Sequence, residues 1–371
     1  MKILLRILVL IMVCSLLLTG CWDQKIFEEV GFTLSLGIES SDSGKLLITT
    51  AYPVIEGKEK DSVDIITTEC DLVRESRSNS RLAAPKFIEG GKIQQILISD
   101  DLAKKGIHEL LEVFQRDATT PAIAFVTIVE GSPNELLQKA SDFKTKPRVS
   151  TYLYQLLENN VNLSNIPNTK VFDFDINYFA LGMDPIVPLI GLGSTAIHVS
   201  GCALFDKDKM TGKLNIAQTS LLLGMMNLLK STDFLFDNDG FEAKTTVKQG
   251  LAVSLFKGKR KIKIDFDENG NPEVQIDVKY KCNLDEFEWD KTMEKSIQEG
   301  LEKKMGESLV QQSNEVIKKL QAANCDPIGI GDMIRAKYYD YFKSIDWKEV
   351  YPDINISVNA SIDIENVGVI K

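Results

Sequence analysis

Cys21 is the residue whose type and setting most directly imply a chemical reaction. It follows Leu18-Thr19-Gly20, and the quartet has the pattern of a lipobox. Lys2 and Arg6 supply a basic start. Residues 7–18 then form about twelve mostly apolar positions, short of the roughly 20 that a membrane-spanning helix needs. The run reads as the core of a signal peptide covering residues 1–20. Small residues before the cleavage point let an extended backbone enter a peptidase. The thiol behind them offers a sulfur for S-diacylglycerol attachment, with N-acylation of the freed amino group. An ordinary signal peptide cut nearby, with Cys21 incidental, is the rival reading. On the lipid reading, the chain from Cys21 onward lies outside the cytoplasmic membrane and is tethered to it. Two acyl chains, at about 0.8 kcal/mol per buried methylene, hold a protein without help from basic residues.

No other grouping assembles a catalytic set. The chain has two histidines. His108 opens His108-Glu109-Leu110-Leu111-Glu112, which lacks the second histidine that a zinc-protease helix needs at i+4, so it reads as a helix-surface residue. His198 lies in the apolar Ala196-Ile197-His198-Val199 and reads as a packed or edge histidine. A Ser-His-Asp triad has little to draw on, and no G-x-S-x-G elbow is present. Gly191-Leu192-Gly193-Ser194-Thr195-Ala196 matches a relaxed dinucleotide fingerprint, but prolines precede it and a β-rich stretch follows. It reads as a loop entering a strand. Pro327-Ile328-Gly329-Ile330-Gly331-Asp332 reads as a turn between helices. Cys70, Cys202, Cys282 and Cys325 lack C-x-x-C spacing and read as buried thiols, with a disulfide among them left open. The expectation is no catalytic residue, no cofactor and no metal.

Composition is that of a globular body, with 44% hydrophobic and 26% charged residues. The formal charge is −10, and removal of Lys2 and Arg6 makes the remainder more acidic still. That balance argues against nucleic-acid binding, which calls for a clustered basic face. No basic patch is expected either, so an acidic body beside an acidic bilayer is held by lipid rather than by charge.

These residues need a scaffold, and the hydrophobic pattern supplies one. Residues 31–38 and 45–52 read as strands joined by Ser41-Asp42-Ser43-Gly44. Residues 71–84 read as a helix and 92–98 as a strand. Ser99 and Asp100 offer N-caps for a short helix that ends near Gly106, and a second helix runs to Arg116. Residues 122–129 form a buried strand, and Ser132-Pro133-Asn134-Glu135 is a capping box that starts the next helix. This alternation suggests a sheet covered by helices. Periodicity is lost over residues 162–193, where a domain boundary is placed. Beyond it, residues 196–205 and 213–219 read as strands, and residues 262–266 and 274–280 as a hairpin. A long amphipathic helix carries Met293, Ile297, Leu301, Met305 and Leu309 at spacing four and continues to Leu320. Residues 355–364 close the chain as a strand. The expected fold is mixed α/β and α+β in two to three lobes, each a sheet flanked by helices, with a largely antiparallel C-terminal sheet. The expected divisions are residues 1–20, an N-terminal α/β region 21–190, and a C-terminal α+β domain 191–371.

Four blocks, in order, resemble a known family. Cys21-Trp22-Asp23 and a strand ending Leu36-Gly37-Ile38-Glu39 resemble the mature N-terminus of the Ger(x)C family, the lipoprotein C subunits of bacterial spore germinant receptors. Residues 96–107, with Asp101-Leu102-Ala103 and Gly106-Ile107, followed by Phe114-Gln115-Arg116-Asp117, resemble its next block. Ala203-Leu204-Phe205 with Lys209-Met210-Thr211-Gly212-Lys213-Leu214 resembles the third. The long helix leading into Asp326-Pro327-Ile328-Gly329-Ile330-Gly331, then Trp347 and Tyr351-Pro352, resembles the family's tail. Two departures are Ala118-Thr119-Thr120-Pro121 after Arg116-Asp117, where members often carry x-Glu-x-Arg, and Gln218-Thr219 in place of Glu-Thr.

The resemblance implies a non-enzymatic subunit on the outer face of the spore inner membrane. It would be lipid-anchored at Cys21 and associated with membrane-embedded A and B subunits in nutrient-triggered germination. The alternative is a solute-binding lipoprotein of a transporter. That class has two doubly wound lobes, which an antiparallel-rich second half with a long late helix fits poorly.

Overall fold

The computed structural model describes residues 2–17, 26, 29–54, 63–117, 119–141, 143, 149–236, 250–286 and 294–367. The chain begins with α1 (Lys2–Leu17), followed by β1 (Val30–Phe32), β2 (Ser35–Ser40), β3 (Leu46–Pro53) and β4 (Val63–Cys70). Next come α2 (Val73–Ala83), β5 (Phe87–Glu89), β6 (Gln95–Ser99), α3 (Asp100–Ala103), α4 (His108–Arg116) and β7 (Phe125–Glu130). Then α5 (Pro133–Ser141), α6 (Val149–Asn162) and α7 (Val171–Phe179) lead to β8 (Ile186–Leu192), β9 (Ile197–Asp206) and β10 (Lys209–Leu214). After α8 (Ile216–Met225) come β11 (Thr232–Phe236), β12 (Leu251–Phe266) and β13 (Pro272–Glu286). The chain ends with α9 (Lys295–Ala322), α10 (Ile330–Lys337), α11 (Tyr339–Ser344), α12 (Trp347–Val350) and β14 (Asn355–Asn366).

An eight-stranded sheet in the order β10-β9-β8-β7-β6-β2-β3-β4 organises the first two-thirds of the chain. Its inner strands β2, β6, β7 and β8 run parallel, and antiparallel pairs close both ends. Period-two geometry sends alternate side chains to opposite faces. Ile96 and Ile98 of β6 enter one core with Leu111, Phe114 and Phe174, whereas Leu97 enters another with Leu137, Leu153 and Leu157. Helices therefore cover both faces, as a parallel sheet requires. A small parallel pair, β1 with β5, lies apart from it.

The third sheet has the order β11-β12-β13-β14, antiparallel except for β14, which lies parallel to β13. One of its faces packs against α9 through Met305, Leu309, Val316 and Leu320, which share a core with Val278 and Tyr280. The molecule is thus mixed α+β, with a long amphipathic helix on a largely antiparallel C-terminal sheet. Met293, the first residue of the spacing-four series, lies outside the described residues, and α9 begins at Lys295.

Two local expectations need correction. The strand expected over 213–219 stops at Leu214, because Asn215 accepts from Gln218 N–H at 2.9 Å while the Gln218 side chain accepts from Asn215 N–H at 3.3 Å. That reciprocal cap starts α8 instead. The aperiodic 162–193 stretch holds α7 and most of β8. Pro188 is tolerated in β8 because the β7–β8 ladder begins only at Leu189, so no β7 acceptor waits for its missing N–H. The expected division between 190 and 191 falls inside β8, and β9 and β10 extend the same sheet beyond it.

Candidate functional site

The tail residues singled out by the resemblance meet around one carboxylate. Asp326 is fully buried. It accepts hydrogen bonds from the N–H groups of Gly329 at 2.9 Å, Ile330 at 3.1 Å and Gly331 at 2.9 Å, and from Trp347 Nε1 at 3.2 Å. The turn can present three consecutive amides because Gly329 takes a left-handed conformation, φ 75°, just ahead of α10. Burial, with the nearby Asp184 carboxylate, pushes Asp326 up to about 7 against these three amides, which favour the charged form.

The same cluster joins the two halves of the chain. Asp184 and Asp326 exchange backbone contacts, Asp184 N–H to Asp326 O at 3.0 Å and Asp326 N–H to Asp184 Oδ2 at 2.9 Å. Lys348 Nζ reaches Asp184 Oδ1 and Asp206 Oδ1, each at 2.6 Å, and donates to Asn324 O at 2.9 Å. Burial works against its charge, but the two carboxylates hold the Lys348 ammonium above the usual lysine value. Gly182 allows the closest approach: a Cβ there would lie 2.3 Å from Gly331 C and from Asp332 N.

Asp206 also starts the β9–β10 turn, whose far side meets the second block. Ile107 N–H donates to Asp208 O at 3.0 Å, and a Cβ on Gly106 would strike the Asp208 carboxylate. Three of the four blocks therefore converge on residues 206–208 and their neighbours. Their chemistry is cohesive. The Asp326 carboxylate is held by three amides and the Trp347 indole, and Asp184 and Asp206 share one ammonium. Among the described residues, no group of three or more His, Cys, Asp and Glu could hold a metal ion.

His108 is not the surface residue expected. Its side chain is 16% exposed, stacked on Tyr178 at 3.9 Å with Nδ1 3.5 Å from Asp175, because α7 packs on α4. His198 is exposed on β9, where β10 no longer pairs, which makes it an edge residue. The 191–196 stretch is the end of β8 and the β8–β9 turn, closed by Gly193 N–H to Ala196 O at 2.9 Å. Asp117 binds Arg77 at 2.8 Å and Arg74 at 3.2 Å. Cys70, Cys202, Cys282 and Cys325 are free and buried, and burial pushes Cys202 and Cys282 up to about 12.

Cys21, with Trp22 and Asp23, lies outside the described residues. Upstream, α1 carries Ile3, Leu4, Leu5, Ile7 and Leu8 more than half exposed, so these five side chains are not packed into the body. No described helix is long and apolar enough to cross a membrane.

Sequence reasoning missed one feature. Lys257, Lys259, Lys261 and Lys263 are exposed along one face of β12, so a basic patch exists on this acidic chain. The signal was the run Lys257-Gly258-Lys259-Arg260-Lys261-Ile262-Lys263, which a whole-chain charge conceals.

The comparisons agree along the whole sequence. The family model described as spore germination protein N-terminal domain matches residues 23–192, and that described as spore germination B3/GerAC like, C-terminal matches residues 200–368. The chain is 24% identical over 365 residues to spore germination protein GerQC of Bacillus cereus, covering 97% of this chain and 98% of that one. It is 22% identical over 368 residues to spore germination protein B3 of Bacillus subtilis (strain 168), covering 96% of each. Its fold is similar to the crystal structure of the GerBC protein, with a TM-score of 0.57 at 19% identity, over 89% of this chain and 97% of that one. Both halves of the sequence are thus accounted for, and the chain belongs to the Ger(x)C family of spore germination proteins.

Proposed function

We propose that this chain is the lipid-anchored, non-enzymatic subunit of a spore germinant receptor. It acts at the outer face of the spore inner membrane with membrane-embedded A and B subunits. The observation that carries the reading is the end-to-end match to both family models, joined to the lipobox pattern at Cys21. The Asp184, Asp326 and Lys348 cluster, formed by residues of the family-like tail and of the segment before β8, serves cohesion and fits a body that works through its surface. In this reading the diacylglyceryl group on Cys21 confines the body to the plane of its partners and raises its effective concentration there.

The test is Cys21→Ala in spores. Palmitate labelling of the chain should vanish, nutrient-triggered germination should be impaired, and recovery of the chain with the A subunit from solubilised inner membrane should fall. Unchanged palmitate labelling would refute the anchor assignment. Normal labelling of the unaltered chain without recovery of either membrane subunit would refute the partnership.

A further inference from the structure

We propose that the exposed face of β12 is a docking surface for an anionic phospholipid bilayer, an inference that rests on the lipid-anchored reading above. Lys257, Lys259, Lys261 and Lys263 stand on one face at every second position, a row of about 20 Å at two residues per ~6.8 Å. The opposite face of this stretch turns inward, with Ile264 in the core and Arg260 on Met225 of α8, so the row belongs to the side of the sheet away from that core. β11 pairs with β12 only from Leu251 to Leu255, so among the described residues the lysine-bearing stretch has no strand on its outer side.

The register argues that this charge is more than a solvated edge. Lys257 lies opposite Lys281, and Lys259 opposite Lys279. Like charges directly across a ladder destabilise it. Asp363 and Glu365 pair with Lys279 and Lys281, and Asp277 faces Lys261 across the ladder. No ion pair is recorded among the described residues for the four β12 lysines. A single charge suffices to protect an edge strand, whereas four of one sign in a row maintain a cost. Lysine ammoniums on flexible stems suit diffuse headgroup charge, whereas bidentate recognition of one phosphate calls for arginine, and the only arginine in the run, Arg260, is turned inward onto Met225 O at 2.9 Å. A row of positive charge on a chain of net −10 gives the tethered body one side on which an anionic bilayer attracts it.

The test uses the full lipidated chain on vesicles of phosphatidylcholine alone or mixed with phosphatidylglycerol. Acylation of each lysine by a water-soluble reagent is followed by mass spectrometry. On phosphatidylglycerol vesicles, Lys257, Lys259, Lys261 and Lys263 should react about fivefold more slowly than on phosphatidylcholine, with the difference erased at ~0.5 M salt. Lys318 and Lys343 should react alike on both. Equal reactivity of the β12 lysines on the two vesicle types overturns the proposal. Protection that rises with protein concentration and ignores lipid overturns it too, and points to a protein partner. In a second readout, tryptophan-to-dansyl-lipid energy transfer should exceed its phosphatidylcholine value only for the unaltered chain. Persistence of that excess in K257Q/K259Q/K261Q/K263Q also overturns it. If the anchor reading itself fails, the chain does not float with phosphatidylcholine vesicles, an outcome distinct from floating with both and being labelled equally.

Discussion

Replacing Asp326 by alanine removes the acceptor for four buried donors at once: the amides of Gly329, Ile330 and Gly331, and Trp347 Nε1. Each buried donor left unpaired costs about 1–3 kcal/mol. Water can enter the space the carboxylate leaves and satisfy part of the set, so the sum falls near the lower bound, ~4 kcal/mol. Unfolding entropy of ~2.1 cal/mol/K per residue gives roughly 0.8 kcal/mol/K for a chain of this size, so Tm should fall by about 5 °C. Differential scanning calorimetry measures this directly. Asp332→Ala is the control, since its partly exposed side chain pairs only with Arg335 and its shift should stay under ~1 °C. The sign of the pH dependence is also fixed. Burial raises Asp326 from 3.8 to about 7 in the folded chain, so the native state favours the protonated form. That contribution is complete below the unfolded value and is lost as pH rises through the folded one. The margin of the unaltered chain over Asp326→Asn should therefore be wider at pH 5 than at pH 8. A Tm within ~1 °C for Asp326→Ala, or a margin that widens toward pH 8, would refute the reasoning.

Three further outcomes follow from the same region and from the core. Lys348→Met leaves Asp184 and Asp206 without their shared cation and should cost about 3–5 kcal/mol in urea unfolding. Asp184→Asn in the same chain should recover part of that, and strict additivity in the double-mutant cycle would count against a coupled cluster. Gly182→Ala drives a Cβ into the backbone of Gly331 and Asp332, and its urea midpoint should drop by the equivalent of at least ~3 kcal/mol; an unchanged midpoint would show that the contact is not tight. Titration with a thiol reagent of the chain cleaved before Cys21 should find it unreactive when native and four thiols after denaturation, whereas a fifth would mean that Cys21 carries no lipid.

Much of this fold is written in local patterns. The β2–β3 hairpin, the Ser99 and Ser132 caps, the β12–β13 hairpin and α9 all announce themselves through turn residues, capping side chains or strict periodicity. The elements that escaped are those whose signals compete. In α7, the Asp173 carboxylate accepts from Lys170 N–H in a cap that lacks the usual Ser or Thr, and the helix leaves Phe172, Ile176 and Phe179 exposed, so its apolar pattern points both ways. Past β10, Asn215 and Gln218 form a legible capping box, but the strand-like pattern of Lys213 to Thr219 runs across it and competes with the helix signal. The Asp326 cluster could be read only as a glycine turn, because its partners Asp184, Asp206 and Lys348 are distant in sequence and become neighbours only through the sheet. The β12 lysines were legible as a run, yet their alignment on one uncovered face depends on strand register.

The eight-stranded sheet has a mechanical consequence. β8 hydrogen-bonds to β7 through Leu189, Ile190 and Gly191 on one side and to β9 along its length on the other. The segments matched by the two family models are therefore welded through one plate, with the Lys348 clasp as a second rivet. Bending the halves against each other would mean shearing a ladder that is buried on both faces. A displacement imposed at either end should therefore carry the other with it, as through a stiff crossbar, so the two halves should move as one body.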